Sequence, residues 1–252
     1  MASPYAGVPV EGWRKVTDAL IATHPLTTEM IFDAAMVSWD RLWSTMVGDV
    51  EHGFRLQDLD PPATVCGYFF EKLFSKELSL RQPTIWVGGR GSQKDLHCIT
   101  NVSKSVEMKS SGQVGYKIYG NRSYAQELEN EDALKKDKSG YYITINFCER
   151  SLTLLRFGWI DGSDWQPQKS PTGQMAGLGD DVYRHKLVTI RGPYMLSGPI
   201  QLLDGAGKKA AETLAELGIT TIAHLVTVPE KDVPAKYRGL WQAARERFAG
   251  LY

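Results

Sequence analysis

Cysteine is scarce in this chain. Its 252 residues hold three, Cys66, Cys98 and Cys148. They are odd in number and too far apart for a C-x-x-C pair, which argues against both a disulfide framework and a zinc site. The five histidines are scattered, so any metal is to be held by carboxylates. No uninterrupted apolar run approaches the roughly 18–20 residues that span a bilayer. The N-terminus has no charged-then-apolar leader pattern, and a soluble, cytoplasmic protein is expected. Net charge is missing too, since 29 Lys and Arg balance 29 Asp and Glu. There is no long repeat and no low-complexity tail. With 42% hydrophobic and 23% charged residues, the composition is that of an ordinary globular protein of one or two domains.

The zero balance hides a segregation. Residues 1–80 carry six basic and eleven acidic side chains, whereas residues 81–126 carry seven basic ones and only two acids, Asp95 and Glu107. A basic stretch is what a nucleic-acid partner asks for. Two carboxylates isolated within it are the first functional clue.

The chain reads as helices at first. Val16, Leu20 and Ile21 form an apolar face that breaks at Pro25. Thr27 offers a cap oxygen, and Ile31, Ala35, Trp39, Trp43, Met46 and Val47 repeat at helical spacing. Pro61 and Pro62 restart the chain into a third helix, with Val65, Phe69, Phe70, Leu73, Phe74 and Leu78 as its packing face. From about residue 84 the period shortens. Residues 84–87, 95–100 and 105–110 read as strands between turns, and 123–137 as a charged helix. Residues 141–148 (YYITINFC) and 152–160 (LTLLRFGWI) are the best strands and are close enough to form a hairpin. Residues 162–182, rich in Gly, Pro and Gln, read as loop, 186–190 as one further strand, and 201–252 as a small helical unit. The expected class is α/β, with helices in front of the sheet and a helical module behind it.

Asp95 opens one predicted strand, and the string Val106-Glu107-Met108-Lys109 lies on the next. Side chains two apart on a strand share a face, so Glu107 and Lys109 emerge side by side. The linker between the strands is short enough to bring Asp95 alongside Glu107. Two carboxylates and an ammonium at one sheet edge suit phosphodiester hydrolysis. The carboxylates hold a hard divalent cation such as Mg²⁺, the Met108 carbonyl offers another oxygen, and Lys109 orients water and offsets charge on the phosphate. Glu71, on the third helix, can reach the same site. The bland alternatives are an exposed strand-edge ion pair for Glu107 and Lys109, and a solvated Glu71 beside Lys72. His97 alternates with Asp95 and reads as structural.

Near the C-terminus, residues 202–225 read LLDGAGKKAAETLAELGITTIAHL. Gly205 and Gly207 stand at a predicted helix N-terminus, with Lys208 and Lys209 behind them. Such a turn binds a phosphate through backbone N–H groups and the helix dipole. The pattern looks like a helix-hairpin-helix element that grips the DNA backbone. An αα-hairpin that only packs is the alternative.

The Asp…Glu-x-Lys hairpin behind a helix, followed by that tail, resembles the PD-(D/E)XK nuclease superfamily, with Lys94 in place of its usual proline. Within it the chain resembles type II restriction endonucleases of the ScaI family. The strings that carry this are SPYAGVPVEGW, KDL, VEMKSSG, GNRSYAQ from Gly120 to Gln126, and DW…TGQM at 164–175. The resemblance implies an αβββαβ nuclease core over residues 1–198 and a helix-hairpin-helix module over 199–252. It further implies a Mg²⁺-dependent homodimer that cuts both strands of double-stranded DNA at a short palindrome, each subunit reading one half-site. A cognate DNA methyltransferase acting on the same site is also implied. Asp95, Glu107 and Lys109 fall on the family's catalytic motif, and Glu71 only by its place on the preceding helix.

Base reading is open between two polar stretches: Asn121, Arg122, Ser123, Tyr124 and Gln126, and Gln166, Gln168, Lys169 and Gln174. Arg suits guanine, and Asn or Gln suits adenine, in the major groove. The other reading of GNRSYA is a turn that caps the following helix. Two rival functions remain. One is a structure-selective repair nuclease, although those usually carry an ERK-type string. The other is a non-catalytic DNA-binding module.

Overall fold

The structure, a computed structural model, describes residues 2–121, 138–167 and 175–252. The chain divides into two compact units. One comprises Met1–Ser111, Lys117–Ile145 and Leu155–Ile190, the other Gly112–Tyr116, Asn146–Leu154 and Arg191–Tyr252.

In the first unit, α1 (Val10–Ala22) and α2 (Thr28–Ser44) part at Pro25. Helix α2 starts at the expected cap, where the Thr27 hydroxyl accepts the Met30 N–H at 3.2 Å. Met46 and Val47, which the apolar spacing assigns to the same face, leave the helix. Thr45 turns extended after Ser44, and the pair becomes β1 (Met46–Val47), antiparallel to β2 (Phe54–Arg55). Both side chains are half exposed. Helix α3 (Ala63–Arg81) follows Pro62 and buries Cys66, Gly67, Phe70, Phe74 and Leu78. Phe69 is exposed, because it sits about 100° around the helix from that stripe. The buried Glu77 on the same helix is matched by the guanidinium groups of Arg41 and Arg81.

Helix α3 packs against the central sheet. The sheet contains β3 (Trp86–Gly88), β4 (Leu96–Cys98), β5 (Val106–Ser111), β7 (Gly140–Cys148), β8 (Ser151–Ile160) and β11 (Leu187–Ile190), in the order β11-β8-β7-β5-β4-β3. Strands β7 and β8 are mostly apolar and buried almost throughout, with Thr144, Asn146, Thr153 and Arg156 as their buried polar positions, as suits central strands covered on both faces. The result is an α/β fold with the acidic and basic residues of interest on its β3-β4-β5 side.

The stretch read as loop contains strands. A second sheet forms from β6 (Gly120–Asn121), β10 (Met175–Leu178) and β9 (Trp165–Pro167), in that order. Its strands are rich in small and polar residues, so pairing and burial define them where alternation does not. Trp165, Ala176 and Leu178 close over Tyr142 and Ile160. The charged stretch 123–137 lies outside the described residues.

The second unit is mainly helical, with α4 (Lys208–Ala215), α5 (Ile222–Thr227) and α6 (Arg238–Arg247). The turn before α4 holds Gly205 at φ 83°, and Gly207 is the α4 N-cap. Leu214, Ile219, Ile222 and Leu225 are buried. No helix among the described residues is long and apolar enough to cross a membrane.

Candidate active site

The site is built where α3 meets the β3-β4-β5 side of the sheet. Gly67, Glu71 and Ser75 recur every four residues, so they share one stripe of α3, and each has a task there. A Cβ on Gly67 would stand 2.1 Å from the Ser110 hydroxyl of β5, so glycine lets the helix come close to the strand. Ser75 donates its hydroxyl to the Asp95 carbonyl at 3.1 Å. The Glu71 charge helps to raise the Asp95 carboxyl. The β3-β4 turn adds a second constraint. The Gly89 N–H also donates to the Asp95 carbonyl, at 2.9 Å, and a Cβ at Gly89 would lie 1.9 Å from the Lys94 carbonyl oxygen. Asp95 is therefore held from both the helix and its own hairpin.

The expected convergence is present. The Met108 N–H donates to Asp95 Oδ2 at 2.8 Å across the β4-β5 pair. Glu107 is buried, and the Lys109 ammonium donates to its Oε1 at 2.8 Å and to the Met108 carbonyl at 3.1 Å. Burial, the Glu107 charge and the Glu71 charge push the Asp95 carboxyl up to about 6. Lys109 and the Met108 N–H pull the other way. The pocket thus holds more negative than positive charge, which a proton or a bound cation would relieve.

The donor set fits a hard divalent ion. Asp95, Glu107 and Glu71 offer carboxylates and Met108 a carbonyl, an all-oxygen set that suits Mg²⁺ and not zinc. The Lys109 ammonium already rests on two of these oxygens, a small cation standing where a larger charge is wanted. Among the described residues no three carboxylate, imidazole or thiol groups are gathered closely enough to hold a metal ion, so Asp95, Glu107 and Glu71 do not form a ready-made cage. The three cysteines are free thiols.

Other expected residues fall as follows. His97 Nδ1 is 3.3 Å from the Ser105 hydroxyl, a structural bond. Lys94, in the usual proline position, donates to the Ser139 carbonyl at 3.0 Å and lies over the Tyr142 ring. Lys208 and Lys209 are exposed on the first turn of α4, and Lys208 makes only a 3.9 Å contact with Glu212. Arg122, Ser123, Tyr124, Gln126, Gln168, Lys169 and Gln174 lie outside the described residues. Asn121 ends β6 opposite Met175 at the start of β10, and Ala176 pairs with Pro167 at the end of β9. Asn121, Pro167 and Met175 therefore stand at one end of the second sheet. Gln166 is exposed on β9.

Sequence reasoning missed two features. One is the α3 stripe, whose signal was a glycine and a serine at four-residue spacing from Glu71. The other is a buried ion cluster. Lys186 Nζ lies 2.8 Å from Asp161 Oδ2 and 2.8 Å from Asp164 Oδ2, and 4.3 Å from the ring centres of both Tyr5 and Trp13. The N-terminal string SPYAGVPVEGW supplies the two rings, as well as the Ser3 hydroxyl that donates to Asp161 at 2.8 Å.

The model of the ScaI restriction endonuclease family matches residues 3–191. The type II restriction enzyme ScaI of Streptomyces caespitosus is 34% identical over 197 residues, covering 75% of this chain and 84% of that one. No solved structure matches the chain. The family match holds every residue of the α3-β4-β5 site and ends where the long segment of the second unit begins. On a match of that extent, the chain belongs to the ScaI restriction endonuclease family and is a restriction endonuclease.

Proposed function

We propose that this enzyme is a Mg²⁺-dependent homodimer that cuts both strands of double-stranded DNA at a short palindromic site. One observation carries the chemistry: Asp95 bonds the Met108 amide while Glu107 and Lys109 flank it, which gathers two carboxylates, a carbonyl and an ammonium on neighbouring strands. Asp95, Glu107 and the Met108 carbonyl would hold the ion, with Glu71 completing the shell from α3. A Mg²⁺ ion held there would supply positive charge beside the scissile phosphate and make a bound water more acidic. Lys109 orients that water and offsets charge on the phosphate oxygens as the bond breaks. The order of α3 before β3, β4 and β5 supports the PD-(D/E)XK reading of the core.

Two further parts follow. The Gly205–Lys209 turn would grip the DNA backbone as a helix-hairpin-helix element, through amides at the α4 N-terminus and two exposed lysines. Residues 121–126 and 166–174 would read bases, which agrees with Asn121, Pro167 and Met175 standing at one end of the second sheet. Palindromic DNA suits a twofold dimer, and a methyltransferase of the same specificity would protect the host site. Digestion of a sequenced plasmid in Mg²⁺ and in EDTA tests the whole. Discrete Mg²⁺-dependent fragments whose mapped ends share a palindrome are expected. A smear, or cutting in EDTA, refutes it.

A further inference from the structure

The mouth of the site holds a second lysine to which the proposed chemistry gives no task. Lys72 follows Glu71 on α3, and its Nζ lies 2.6 Å from Glu71 Oε1. Adjacent positions on a helix do not face each other, so the Lys72 stem must swing sideways to make this bond. The stem runs beside the exposed Tyr68 ring one turn earlier, with Nζ 5.2 Å from the ring centre. Each carboxylate flanking Asp95 thus carries its own lysine, Glu107 with Lys109 and Glu71 with Lys72. The two lysines differ in access. The Lys109 side chain is 19% exposed and that of Lys72 47%.

A DNA phosphate brought to three carboxylates adds negative charge where it is already in surplus, and mobile positive charge must meet it. We propose that Lys72 is a phosphate-binding residue of the active site, resting on Glu71 in the metal-free protein and moving to the DNA backbone once Glu71 is committed to a divalent cation. The inference rests on the nuclease reading above. A half-exposed ammonium on a four-carbon stem is suited to such an exchange, and the ion pair it leaves contributes little to stability.

The test starts from plasmid digestion by the wild-type protein in Mg²⁺, which yields a mapped site. Binding of a duplex carrying that site is then measured over a range of salt, in Ca²⁺ and in EDTA, for the wild type, Lys72→Met and Lys72→Arg. Binding of Mn²⁺ without DNA is measured for the same three proteins. Lys72→Met is expected to weaken duplex binding in Ca²⁺ about tenfold and to lower the salt slope by about one. Its binding in EDTA stays unchanged, and it takes up Mn²⁺ more tightly because the competing ammonium is gone. Lys72→Arg keeps the wild-type slope. An unchanged slope and affinity in Ca²⁺ for Lys72→Met overturns the inference, and an equal loss in Ca²⁺ and EDTA overturns the exchange. Failure of the wild type to cut in Mg²⁺ overturns the nuclease reading itself, a result distinct from either.

Discussion

Two lysine–carboxylate clusters in the first unit use the same groups to opposite ends. At Lys186 one ammonium meets two aspartates, and every side of the cluster is closed. Ser3 and the Trp159 indole bond Asp161, the Asp161 amide bonds Asp164, and two aromatic rings cover the ammonium. At Asp95 the lysines are more exposed, a third carboxylate is present, and the carboxyl of Asp95 is pushed up to about 6. A buried charge is tolerated only when paired and hydrogen-bonded. The first cluster meets that condition within the chain and fastens the N-terminal segment. The second is less enclosed, and burial raises a carboxyl in each, Asp164 in the first and Asp95 in the second.

The largest effect is expected from breaking the closed cluster. Lys186→Met leaves two buried aspartates without their counter-charge and should cost about 3–5 kcal/mol of stability, read as a drop in the urea midpoint. A stability near wild type would mean that the cluster is not a fastener. Asp95→Asn is the mirror experiment. It removes surplus charge, so the metal-free protein should be as stable as wild type or more so, while cleavage is lost.

Those contrasts were only half legible in the sequence. Asp95, Glu107 and Lys109 could be placed together because strand alternation and a short linker are local rules, and the two long apolar strands announced themselves in the same way. Helix α2 could be started at Thr27 for a similar reason. The Lys186 cluster could not be found, since it joins residues 3, 13, 161, 164 and 186, and nothing local relates them. The strands at 165–167 and 175–178 were hidden by their small and polar residues. The hairpin at Met46 mimicked two more positions of a helix face. The second unit draws on three separated stretches of chain, which composition along the sequence does not reveal.

Next in size is the turn that presents Asp95. Gly89→Ala drives a methyl into the Lys94 carbonyl and displaces the hairpin, and a misplacement near 1 Å costs about a hundredfold in rate. Cleavage should fall by that factor with Mg²⁺ saturating. Unchanged kinetics would show that the turn does not position Asp95.

Acid sharpens the comparison further. His24 is buried and neutral, with Nε2 3.0 Å from the Lys104 carbonyl and Nδ1 accepting the Leu26 N–H. Burial lowers its pKa from 6.5 to about 4. Its contribution is therefore complete above pH 6.5 and is lost as pH falls through 4, about 3 kcal/mol in all. Asp95, with a raised pKa, acts in the opposite sense and destabilises the metal-free protein above about 6. In Asp95→Asn the loss of stability between pH 6.5 and 4 should accordingly be steeper than in wild type. Equal slopes in denaturant titrations would contradict this.

The smallest effect lies in the second unit. Lys208→Ala with Lys209→Ala should weaken DNA binding several-fold across all sequences and lower the salt slope by about two. If affinity holds and discrimination between sites is lost, the turn reads bases and does not grip the backbone.

If a divalent ion completes the α3-β4-β5 pocket, it should also stabilise the folded protein. The most direct measurement is the thermal melting of wild type and Glu107→Gln over a Mg²⁺ titration, with plasmid cleavage followed in the same samples. Mg²⁺ is expected to raise the wild-type Tm and to leave that of the variant unmoved, and the folded variant should not cut. A Glu107→Gln protein that cuts the same sites at a comparable rate would contradict this.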